Sequence, residues 1–175
     1  AAGDINQLEN AVTFEQGFLE ADDFYDLDYP EILRHTEDTT FSSYSKRKMI
    51  IASREIEEVA WKRGEGNLYS CFQKLSVLKE QWDLYVRIGE RGVGVNAYGM
   101  PDWEPPETDI IDVHEAENGE IEDNWFVVYD GAGDDGKKRA LLAEQRDDDW
   151  YGFWTYDAKI VDEITEYINS KWEDA

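Results

Sequence analysis

Three stretches of the chain carry apolar residues at helical spacing. Met49, Ala52, Ile56, Val59 and Ala60 predict a helix from Ser45 to Arg63, opened by Ser45 as N-cap and stopped by Gly64. Leu68, Cys71, Phe72, Leu75, Leu78, Trp82, Tyr85 and Val86 form another stripe and predict a second helical region from Asn67 to Gly89, with Gly66 and Ser76 as points of breakage. Ile160, Val161, Ile164, Tyr167 and Ile168 predict a last helix from the Asp157 cap through Trp172. After Gly92 the period drops to two. Val93, Val95 and Ala97 alternate with Gly94, Asn96 and Tyr98 as in a strand. Residues 101–108, with three prolines, read as a loop, and Asp109 to His114 as a short strand. The apolar run Trp125 to Tyr129 predicts a strand covered on both faces. Arg139 to Glu144 and Tyr151 to Thr155 predict two more strands. Upstream, Tyr29-Pro30 opens a short helix through His35, and hydroxyl-rich Thr36 to Ser45 reads as a loop. The expected fold class is α/β: one domain with a mixed sheet of about four to five strands packed by helices. Residues 1–39 read as an acidic lead-in and 40–175 as the domain.

Charge changes this picture more than length does. The 175 residues hold 41 acidic and 17 basic side chains, for a formal net charge of −24. Seven Trp, ten Tyr and seven Phe supply core material that acidic disordered chains lack. So negative a surface excludes nucleic acid and anionic membrane as general partners. It suits a salt-rich cytoplasm, where screening lets hydrated carboxylates keep a surface soluble. No apolar run reaches membrane-span length and no signal peptide is visible. The chain opens on Ala1, so removal of upstream residues is expected. A lone cysteine, Cys71, cannot form an internal disulfide. Residues 46–91, with ten bases and seven acids, form a basic island between two acidic regions. Either the island neutralises the acidic parts folded against it, or its Lys46-Arg47-Lys48 and Lys62-Arg63 ends form an anion or partner site.

Reactive chemistry is poorly supported. Gly131-x-Gly133-x-x-Gly136 follows a strand as in dinucleotide sites, but Asp134 and Asp135 would repel phosphates and too little chain follows. A hairpin turn explains the same glycines. Two histidines and one cysteine make a closed zinc site improbable, and Asp147-Asp148-Asp149 lacks calcium-loop spacing. No nucleophile elbow is present. The residues name no metal and no cofactor.

Several blocks stand in order along the chain: Ser53-Arg54-Glu55-Ile56-Glu57 through Ala60-Trp61, Phe72 through Ser76, and Gly92-Val93 through Tyr98-Gly99 with Pro101-Asp102. Trp125 through Gly131, Ala140 through Glu144, and Tyr151 through Asp157 continue them. Together they resemble the DICT sensory domain, in the version of halophilic archaea. The resemblance implies a signalling module of a family associated with diguanylate cyclases and two-component systems. No kinase, cyclase or helix-turn-helix output is legible, so signalling would run through a signalling-protein partner or through a part of the protein outside this chain. The order of elements also looks somewhat like the ligand-sensing domains of sugar-responsive archaeal regulators, whose hydrolytic relatives use a His-x-Lys pair. Neither His35-x-Glu37 nor His114-x-Ala116 supplies that pair.

The expected function is a non-catalytic sensory domain that binds a small molecule, chromophore or partner and relays a conformational change. Tyr98, Asp102, Trp125, Tyr129, Asp130, Trp154 and Tyr156 are the candidate pocket. Arg54, Glu57 and Trp61, with Lys46, Arg47 and Lys48, are the candidate transmitting surface. The alternatives are a constitutive protein-binding adaptor, in which the aromatics are core, and an enzyme working through Asp102 and Asp130.

Overall fold

The computed structural model describes residues 38–117 and 119–172. One mixed sheet organises them: β1 (Asp38–Tyr44), β2 (Asn67–Lys74), β3 (Gly94–Met100), β4 (Ile111–Glu115), β5 (Asn124–Tyr129), β6 (Arg139–Arg146) and β7 (Asp149–Thr155). Their spatial order is β1-β7-β6-β5-β2-β3-β4. β2, β3 and β4 run parallel, while β5, β6, β7 and β1 add antiparallel neighbours on the other side of β2. The fold class is α/β as expected, with seven strands rather than four or five. Helices α1 (Lys46–Arg63), α2 (Leu75–Glu90), α3 (Gly119–Asp123) and α4 (Ala158–Trp172) complete it.

The helix ends follow their local chemistry. The Ser45 hydroxyl accepts the Lys48 amide at the start of α1, and Gly64 ends the helix at φ 68° in the left-handed region. Asp157 accepts the amides of Lys159 and Ile160 at the start of α4. The glycine-rich segment is a turn between antiparallel β5 and β6, closed by Asp130 on the Ala132 amide and Asp134 on the Gly136 amide.

Two elements differ from the sequence reading. Residues 38–44 form edge strand β1 against β7, where a loop is expected. Asn67–Lys74 is strand β2, and only Leu75 onward is helical. Five consecutive residues, Leu68 to Phe72, are buried, as in a strand covered on both faces. Leu68, Cys71, Phe72 and Leu75 mimic helical spacing because a doubly covered strand needs apolar residues everywhere. The break comes at Gln73, with φ 61°, before the turn into α2. Residues 1–37, which hold all but the last two positions of the lead-in and the short helix from Tyr29-Pro30 through His35, lie outside the described residues.

Alternation along β2 and β5 sorts the core into two layers. Leu68, Phe72, Trp125, Val127 and Tyr129 face α1 and α2, together with Leu141, Trp150 and Trp154. Tyr69, Cys71, Tyr98, Phe126 and Val128 face α4, where Val161, Ile168 and Trp172 cover them.

Candidate functional site

Among the described residues the α1–α2 layer is not filled. A cavity of about 530 Å³ lies between the two helices and the sheet, within the range of small-molecule sites. From α1 it is lined by Lys46, Arg47, Ile50, Ser53, Arg54 and Glu57, which share one helix face at three- and four-residue intervals. From α2 come Val77, Glu80, Gln81 and Tyr85 on the same kind of stripe. Ser70 and Phe72 of β2, with Trp125 and Val127 of β5, form the floor.

A buried polar network ties the helices together along this cavity. Arg54 pairs with Glu57 one turn on and donates to the Gln81 side-chain oxygen of α2. The Tyr85 hydroxyl donates to Glu57 and sits 3.0 Å from the Ser70 hydroxyl. Glu57 is 1% exposed and Arg54 9%, so each charge depends on its partner. Burial, then the Glu57 carboxylate, pushes the Tyr85 phenol well above its ordinary pKa, so it stays a proton donor. The Trp125 indole N–H donates to Ser53 Oγ at 3.0 Å, and Ser53 donates to the Met49 carbonyl. That fixes the indole at the cavity wall, edge-on to Trp150.

The fold therefore gathers one candidate pocket residue, Trp125, and four candidate transmitting residues, Lys46, Arg47, Arg54 and Glu57, around one cavity. Lys48 is exposed on the same first turn and does not line it. Trp61 lies toward the far end of α1 under the Arg91 guanidinium, 5.0 Å from the ring centre.

The other aromatic candidates are dispersed. Tyr98 is in the α4 layer, stacked on His114 at 4.5 Å. Tyr129 is buried, and its hydroxyl donates to the Glu65 carbonyl at 2.9 Å. Burial raises its pKa to about 12. Trp154 and Tyr156 border a separate small hollow with Ala52, Glu55 and Ile56.

Asp102 and Asp130 do not converge. Asp102 accepts the Ser76 amide at 2.8 Å and its hydroxyl at 2.5 Å, capping the first turn of α2 from outside and holding its own pKa down. Asp130 accepts the Asn67 amide and side chain at 3.0 and 2.8 Å. One thus serves the first residue of β2 and the other the turn after its last, roughly 25 Å of strand apart.

Sequence reasoning did not single out Ile50, Ser53, Ser70, Gln81 or Tyr85 as a group. Of these only Tyr85 lies on an apolar stripe of the sequence, and the spacing along β2, which brings them together, reads as helix. Cys71 faces the α4 layer, its thiol donating toward the Asn124 carbonyl at 3.3 Å, and burial raises its pKa to about 12. Among the described residues no cluster of three or more His, Cys, Asp or Glu could hold a metal ion.

A family model described as "Sensory domain in DIguanylate Cyclases and Two-component system" (DICT) matches residues 27–146. The chain belongs to the DICT family. This DICT domain is thus a sensory domain of the kind found in signal-transduction proteins, and α1, α2 and the cavity lie wholly inside the matched segment. The Tyr151-to-Asp157 block lies beyond it. A search of the curated proteins finds no match. Among solved structures, the DICT domain is similar to TrmBL2, an archaeal chromatin protein whose structure "shows a novel mode of DNA binding". The TM-score is 0.58 at 12% identity, with 97% of this chain aligned, and the chain spans 63% of the length of that protein. Such a likeness extends to the fold alone. No helix among the described residues is long and apolar enough to cross a membrane.

Proposed function

We propose that this DICT domain is a non-catalytic sensor that binds a small molecule in the cavity between α1 and α2 and passes the event to a signalling protein. The cavity itself carries the reading: about 530 Å³ of unfilled space in the core layer, with convergent polar groups from both helices. A ligand there touches Arg54, Glu57, Gln81 and Tyr85, the side chains that join α1 to α2. Its differential contacts with that network would shift the two helices between packings. The relay surface is the exposed first turn of α1 at Lys46, Arg47 and Lys48, with Trp61 toward the other end. A salt-rich cytoplasm remains the proposed setting.

The family's sensory character supports a non-enzyme. An enzyme built on Asp102 and Asp130 loses its support, because both carboxylates serve as caps at opposite ends of β2. Family membership and the strongly acidic composition weigh against DNA as the direct target.

Native mass spectrometry and absorption of the chain purified in high salt test the reading. A bound small molecule, absent from Val77→Trp in which the new indole fills the cavity, supports it. Identical masses, together with no stabilisation of either protein by small-molecule libraries, refute it and favour a constitutive adaptor.

A further inference from the structure

The walls of this cavity run against the electrostatics of the chain around them. Acidic residues outnumber basic ones 41 to 17 overall, yet the cavity lining holds three cations, Lys46, Arg47 and Arg54, against two carboxylates, Glu57 and Glu80. The inner pair neutralises itself, since Arg54 is held by Glu57 and Gln81. At the rim, Lys46 and Arg47 are exposed, and among the described residues no carboxylate lies within ion-pair distance of either.

Their position adds to this. Lys46 and Arg47 open α1, whose first turn contains no acidic residue. Cations at the positive end of a helix are locally unfavourable, and an anion bound at this rim would offset that cost. Deeper in, Ile50, Phe72, Val77, Trp125 and Val127 offer an apolar lining with one aromatic ring pinned by its hydrogen bond to Ser53.

We infer that the cavity selects a small amphiphilic organic acid, its apolar body against Trp125 and Phe72 and its anionic group at the Lys46–Arg47 rim. The inference rests on the sensory-pocket reading above and adds the sign of the ligand's charge. Glu80 opposes it from α2, so the anion must sit on the α1 side of the rim.

Calorimetric titration of the full chain with three matched probes tests it: 2-naphthoate, its neutral amide 2-naphthamide, and 2-naphthylmethylammonium. Naphthoate should bind about tenfold or more tighter than the amide, the difference expected of one charge-assisted contact. The ammonium should bind weakest. Lys46→Ala/Arg47→Ala should bring naphthoate to the level of the amide while leaving the amide unchanged. Both side chains are exposed, so the variant keeps its fold, which circular dichroism checks. If the three probes bind alike, or the ammonium binds best, and Val77→Trp abolishes that binding, the pocket stands and the charge assignment falls. If none of the three binds, the inference falls together with the pocket reading.

Discussion

Glu55 offers the sharpest test of the packing of α1 on the sheet. Its side chain is 17% exposed, against the Arg139 guanidinium of β6 at 3.7 Å. Ala52, Ile56, Trp154 and Tyr156 border the same hollow. Burial dominates and raises its pKa from 4.5 to about 7, with Arg139 lowering it, Glu58 raising it and the Tyr156 hydroxyl lowering it. A carboxyl that holds its proton more tightly when folded stabilises the fold at low pH. That contribution is complete below about 4.5 and is lost as pH rises through about 7. A shift from 4.5 to about 7 corresponds to about 3 kcal/mol. Urea unfolding of the wild type and Glu55→Gln should therefore be compared across that range at constant salt. The other carboxylates are common to both proteins, so the wild-type advantage should shrink by about 3 kcal/mol between pH 4.5 and 8. Arg139→Met should carry the loss to higher pH, because it removes the lowering charge. A difference that stays flat to within about 1 kcal/mol would show that Glu55 is solvated in the fold, and the reasoning would fail.

Two further outcomes follow from other contacts. Glu57→Leu leaves the buried Arg54 without its carboxylate and should cost about 3–5 kcal/mol by urea denaturation. Arg54→Met/Glu57→Leu should recover about half of that, and a double variant no more stable than the single one would contradict the unpaired-charge explanation. A Cβ added at Gly152 would lie 1.9 Å from the Leu142 carbonyl oxygen and 2.7 Å from the Ala143 Cα, both backbone. Gly152→Ala should therefore cost about 3 kcal/mol, lowering Tm by roughly 6–12 °C, and an unchanged Tm would mean that β6 and β7 can separate freely.

How much was legible in the sequence depended on whether a signal was local. Ser45 and Gly64 bound α1, and Asp157 opens α4, because caps are chemistry within one turn. β5 was legible from its apolar run. β1 was not, since a polar hydroxyl-rich strand is specified by pairing with β7, more than 100 residues away. β2 reads as helix because apolar residues on both faces erase the period that separates strand from helix. The cavity suffered from the same error. The basic island and Trp125 are visible in the sequence, but only the antiparallel pairing of β2 with β5 sets Trp125 beside α1.

The two helices that wall the cavity are attached to the sheet in mechanically different ways. α1 leaves β1 at one edge and returns to β2 in the middle, with β7, β6 and β5 lying between them. It is a beam anchored at both ends of its span, and sliding it would pull on strands four places apart. α2 joins β2 to its immediate neighbour β3, so both of its anchors lie side by side. The Arg54–Gln81 and Glu57–Tyr85 contacts are the links that join these two differently anchored helices across the cavity.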